Sequence, residues 1–126
     1  MSTTPYAPVQ LDLTVYQGAT LAMQFTLYES DGTTVTDLTG YTFRCQGRRS
    51  YQSETTEWDL DNGAKGGITV DDAAAGEFTV TLSDTVTAAI DVGASGVWDV
   101  EAEDASGTVT RVAQGQWVLD PEVTHA

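Results

Sequence analysis

Apolar and polar residues alternate with a period of two along most of the chain, the pattern of strands that bury one face. Over 20–28, Leu21, Met23, Phe25 and Leu27 fall on one face and Ala22, Gln24, Thr26 and Tyr28 on the other. The stretch runs into Glu29-Ser-Asp-Gly32, a turn signal because Gly tolerates positive φ and Asp bonds its own backbone. A short return strand is expected over 33–38, with a second turn at Gly40. Alternation resumes over 41–47, which places Tyr41, Phe43 and Cys45 together, and again near Trp58 and Leu60, which would face inward. The glycine-rich 61–67 is the strongest loop signal. Strands follow at 68–70 and 78–82, then at 97–102 and 108–112 across the turn 104–107, and finally at 116–119, stopped by Pro121.

One segment departs from this period. Ser83 can cap a helix, Asp84 suits its first turn, and Val86, Ala89 and Ile90 recur at helical spacing, so one or two helical turns are expected over 84–90. An all-β fold of about seven to nine short antiparallel strands results. The leading architecture is an immunoglobulin-like β-sandwich, with a closed barrel as the alternative. The sandwich is expected to span 9–121, between an N-terminal tail at 1–8 and a C-terminal tail at 122–126.

Composition narrows the function. The chain has 126 residues, one domain's worth, with 19 acidic against 5 basic residues and a net charge of −14. Phosphate backbones and anionic lipid would repel it, so neither nucleic acid nor a membrane surface is an expected partner. Cys45 is the single cysteine, which excludes an intrachain disulfide, and the one histidine, His125, lies on the expected tail. The first residues lack a basic region followed by an apolar one, so no signal peptide is expected.

Enzyme signatures are lacking: no nucleophile has a nearby imidazole, and no phosphate loop, dinucleotide turn or zinc-binding helix occurs. Asp99, Glu101 and Glu103 alternate with Trp98, Val100 and Ala102, which assigns them to a solvated outer face rather than to acid–base chemistry. Asp59 to Gly63 begins like a calcium loop, but it fails where Gly63 and Val70 replace the required ligands. Neither a catalytic residue, a cofactor nor a metal is expected.

Two clusters remain. Arg44, Arg48 and Arg49 hold three of the five positive charges within six positions. They are either counter-charges for an acidic neighbouring strand or a docking point for a partner's acidic surface. Trp58, beside the glycine-rich loop, is the surface candidate for stacking on a sugar ring, against the favoured reading of core or interface packing. In the N-terminal segment, Tyr6 and Val9 are candidate contacts if the tail adds a strand to a neighbour, with plain disorder as the competing reading.

Several phrases resemble a known family. Val35 to Arg44, with its Asp37-Leu-Thr-Gly40 turn, is similar to a hairpin of immunoglobulin-like domains in tailed-phage structural proteins. Gly67 to Val70, Ala75 to Ser83, Gly96 to Glu101 and the ending Asp120-Pro-Glu-Val-Thr124 extend the likeness to the N-terminal domain of phage baseplate upper proteins. The resemblance implies a non-enzymatic virion protein, made in a host cytoplasm. It would dock on other virion subunits or on copies of itself, as a capsid decoration protein or a tail and baseplate adaptor. The alternative is a binding module that presents sandwich loops to host glycans or host proteins.

Overall fold

The computed structural model describes residues 7–124. Its strands are β1 (Val9–Gln10), β2 (Leu13–Tyr16), β3 (Leu21–Thr26), β4 (Thr42–Arg48), β5 (Trp58–Asp61), β6 (Ile68–Asp72), β7 (Glu77–Leu82), β8 (Ser95–Glu103) and β9 (Val109–Asp120). The helix α1 (Asp84–Ala88) joins β7 to β8. Ser83 caps α1 as its sequence indicates, its hydroxyl accepting from the Val86 N–H at 3.2 Å.

The strands form two sheets. The large sheet has the order β1-β9-β8-β4-β5, with β2 also on β9, and the small sheet the order β3-β7-β6. This is the immunoglobulin-like sandwich rather than a closed barrel. Inward side chains of both sheets share one core. Phe78 of the small sheet stacks on Phe43 of the large one at 4.3 Å between ring centroids. Toward the other end Trp58 packs on Trp117 at 5.3 Å.

Four expectations require correction. The return strand over 33–38 shrinks to a single bridge between Tyr28 and Val35. The Asp31 carboxylate takes the backbone N–H groups of Thr33 and Thr34, which turns the chain where a ladder would run. The strands expected at 108–112 and 116–119 are one strand, β9, interrupted by a bulge opposite Val100 and Glu101. Not every pair is antiparallel, because β1 and β2 both run parallel to β9. Finally, Val9 is not part of a free tail: it pairs with Ala113 of its own chain in β1, an edge strand of the large sheet. The other tail candidate, Tyr6, lies outside the described residues.

The approach of this N-terminal strap depends on one glycine. A Cβ on Gly115 would collide with the Leu11 carbonyl, so only glycine lets the strap lie against β9 there. The strap is then fixed by the Leu11 N–H donating to Gln114 (2.8 Å), the Gln116 N–H donating to Asp12 (3.0 Å) and the Trp98 indole donating to Leu11 (2.9 Å).

Candidate functional site: the outer face of the large sheet

Strand register builds this face row by row. Arg44 on β4 stands opposite Asp61 on one side and Glu101 on the other, and Glu101 stands opposite Arg111 on β9. Across four strands the row reads acid, base, acid, base. Two residues along, Gln46 stands between Asp59 and Asp99, and Asp99 faces Gln114, so acids alternate with amides. The β9 bulge makes the first row possible. It turns both Val112 and Ala113 inward, which leaves Arg111 and Gln114 pointing out on either side.

Contacts within the face follow the rows. Arg44 reaches Glu101 at 3.3 Å and Glu103 at 3.5 Å, and Arg111 reaches Asp99 at 3.6 Å. Lys65, from the loop after β5, reaches Asp59 at 2.7 Å, and that ammonium holds the Asp59 carboxyl below its ordinary range. Asp99 behaves in the opposite way. Burial raises its carboxyl, the Glu101 charge adds to the rise, and Arg111, Arg48 and Arg44 only partly offset it. A polar groove of about 600 Å³ crosses the face beside Asp99, with Arg48, Arg111 and Tyr51 among its walls. Tyr51 is 83% exposed, the most open aromatic ring among the described residues.

The arginines singled out in the sequence divide between roles. Arg44 and Arg48 both point outward from β4. Arg44 is the counter-charge just described, and Arg48 donates to the Ser53 carbonyl (2.8 Å) and to Gln46 (3.0 Å), tying down the loop that carries Tyr51. Arg49 sits past the strand end and clamps Glu57 (2.8 Å) and Asp91 (3.0 Å).

Trp58 is corrected from a surface candidate to a core residue. It is 3% exposed, its ring packed into the space where Gly47 has no side chain, and it offers no face for a sugar. Beside it Cys45 is fully buried, and burial pushes its thiol up to about 12. The calcium-like residues are used internally. The Asp61 carboxylate accepts from the N–H groups of Gly63, Lys65 and Gly66, which makes the segment a turn.

Sequence reasoning missed Arg111, Lys65, Gln46 and Tyr51. Arg111 and Lys65 join Arg44 and Arg48 only through non-local strand pairing, for which the sequence carries no local signal. Gln46 was within reach, since it alternates outward between Arg44 and Arg48.

No family model matches this chain, and no curated protein matches it. Among solved structures, an extracellular domain of the voltage-gated sodium channel beta4 subunit, described as a parallel homodimer that explains a role in cell–cell adhesion, has a TM-score of 0.52 at 12% identity. The match covers 97% of this chain and all of the other. A sodium-channel beta-subunit chain from work on multimeric cell-adhesive interactions has a TM-score of 0.49 at 13% identity, covering 98% of this chain and all of the other. Identity this low supports the shared fold and nothing further.

The phage resemblance is corrected, and with it the assignment to a virion and to capsid, tail or baseplate partners: no family model and no curated protein supports it, and the fold it implies is shared with a protein of another kind. The neighbour with a TM-score of 0.52 is an extracellular domain of a sodium-channel subunit, not a phage protein. The phrases that carried the resemblance have a local cause. In the Asp37 to Gly40 turn, the Asp37 carboxylate accepts from the Thr39 N–H (3.0 Å) and hydroxyl (2.7 Å), and Gly40 takes a φ of 81°. Such turn chemistry recurs wherever a sandwich needs that corner.

Proposed function

We propose that this chain is a non-catalytic recognition module that binds a protein partner through the outer face of the large sheet. The observation that carries the reading is the distribution of positive charge. Four of the five basic residues lie on this face or at its border, interleaved there with acids, and Arg49 sits just past the end of β4, while the rest of the described surface is acidic or neutral. A mixed-sign, hydrogen-bonding face on a rigid sheet, with an exposed tyrosine beside a groove, suits protein recognition. The sodium-channel beta4 domain of the same fold, described through its homodimer and its adhesion role, lends this support. Among the described residues no group of His, Cys, Asp and Glu is arranged to hold a metal ion, and no helix is long and apolar enough to cross a membrane.

The test is site-specific photo-crosslinking, with a benzophenone side chain at Gln46 on this face or at Thr79 on the small sheet, in the cell that makes the protein. The reading predicts a discrete protein adduct from position 46 and none from position 79. Equal labelling from both, or adducts only from 79, contradicts it. Binding on a glycan array that disappears with Tyr51→Ala would move the reading to a carbohydrate ligand in the groove.

A further inference from the structure

We propose that the partner this face fits is a second copy of the same chain, docked face to face about a two-fold axis that runs along the strands between β4 and β8. The proposal rests on the recognition reading above and specifies its partner.

The charge rows are self-complementary under that one operation. Rotation about an axis parallel to the strands reverses the order of the strands and leaves each row facing its own copy. The row Asp61, Arg44, Glu101, Arg111 then meets its reverse. Each Arg44 lies over a Glu101, and each Arg111 over an Asp61. The next row behaves alike, with each Gln46 amide over an Asp99 and each Gln114 over an Asp59. Thr42, paired with Glu103 in the sheet, meets that carboxylate again from the other copy. No carboxylate in these rows faces a carboxylate. Two-fold symmetry demands such self-complementarity of an isologous contact, and a row of one sign, or one ordered acid, base, base, acid, would fail it.

Charge elsewhere selects the same orientation. A chain of net charge −14 repels its copies through most of its surface. The face that carries its positive residues is where two copies can approach with opposite charges in register. The contact is small: about this axis β4 overlies β8 and the four-residue β5 overlies β9, so at roughly 3.3 Å per residue and 4.8 Å between strands the overlap is about 350 Å² per partner, below the ~800 Å² of a standard specific contact. Because the charges are exposed and already paired in the sheet, the dimer is weak and is populated only at high concentration.

The decisive experiment is sedimentation equilibrium of Arg44→Glu and Glu101→Arg, alone and mixed, with circular dichroism to establish that each is folded. The wild type is expected to self-associate. Each variant alone places like charges across the axis twice and is expected to lose association by about tenfold or more. In an equimolar mixture Glu at 44 meets Arg at 101 and Glu101 meets Arg44, so the mixture is expected to regain association as a heterodimer. The double variant in one chain restores the cross-axis pairs and the 44–101 pair, while it sets a glutamate at 44 beside Asp61 and an arginine at 101 beside Arg111, and it is expected to associate better than either single variant. A wild type that stays monomeric at millimolar concentration, or a mixture no better than its components, overturns the self-pairing. In that case a Gln46 adduct to a different protein would leave the recognition reading standing, and absence of any such adduct would remove both.

Discussion

The two sheets obey the same alternation rule and present different surfaces. On the small sheet the outward row pairs are Ala22 with Thr81, and Gln24 with Thr79 and Thr69. Asp71 gathers the Thr79 hydroxyl and the Gln24 amide. This face carries Ala, Gln and Thr together with the acids Asp71 and Glu77, and no positive charge among the described residues. On the large sheet the same outward positions carry Arg, Glu, Asp and Gln in alternating rows. Period-two patterning therefore decides which residues leave the core, while cross-strand register decides whether they form a surface with information in it.

The largest expected effect comes from breaking the support beneath the large sheet. A Cβ on Gly47 would enter the Trp58 ring, so Gly47→Ala should cost about 3 kcal/mol by overpacking. Chemical denaturation measures this, and a cost within experimental error would show that Trp58 is not seated on β4. A milder contrast separates two buried indoles. The Trp117 N–H donates to the carbonyls of Arg48 and Val97 at 3.2 Å each, whereas the Trp58 N–H has no hydrogen-bond partner. Trp117→Phe should therefore cost about 2 kcal/mol or more, and Trp58→Phe about 1 kcal/mol or less. The same denaturation series would contradict this by reversing the order.

The third prediction compares the faces directly. Gln46→Glu places a carboxylate between Asp59 and Asp99, so it should weaken association strongly. Ala22→Glu, an equal charge change on the small sheet, should leave association unchanged and shift stability by less than about 0.5 kcal/mol. Similar losses from both variants would erase the distinction between the faces.

The smallest effect is a difference in pH response. Three hydrogen bonds from Thr33 and Thr34 lower the Asp31 carboxyl to about 2, below its ordinary 3.8. A depressed carboxyl contributes stability that is complete above its unfolded value and is lost as the pH falls through the folded one. Asp31→Ala should therefore lower the Tm at neutral pH, with the deficit closing toward pH 2. Asp99 has the opposite sign, since its raised carboxyl costs stability at neutral pH and the cost is relieved on acidification. Asp99→Asn should leave the neutral Tm unchanged or higher. Thermal scans of both variants across acidic pH check the pair, and parallel behaviour would contradict it.

Much of the sandwich was legible because its core residues alternate strictly, as in β4, β7 and β8. The capped helix was legible because Ser83 and Asp84 act locally. The N-terminal strands were missed although Leu13 and Val15 do alternate, because the segment pairs parallel with a strand a hundred residues away in sequence. The bulge concealed the unity of β9, since two consecutive inward residues, Val112 and Ala113, interrupt the period. In the candidate site, the outward position of Arg44 and Arg48 could be read, whereas the rows that join Arg44 to Glu101 and Arg111 exist only once the strands have paired. Trp58 was readable both ways, because a tryptophan beside a loop alternates identically in a core and in a binding site.

The most direct measurement of the central claim is a concentration series of amide NMR spectra of the wild-type protein. The expected result is progressive shifts at Arg44, Gln46, Asp99 and Glu101, with Ala22, Thr79 and Thr81 unmoved. Shifts centred on the small sheet, or spectra unchanged up to millimolar protein, would contradict a self-complementary face on the large sheet.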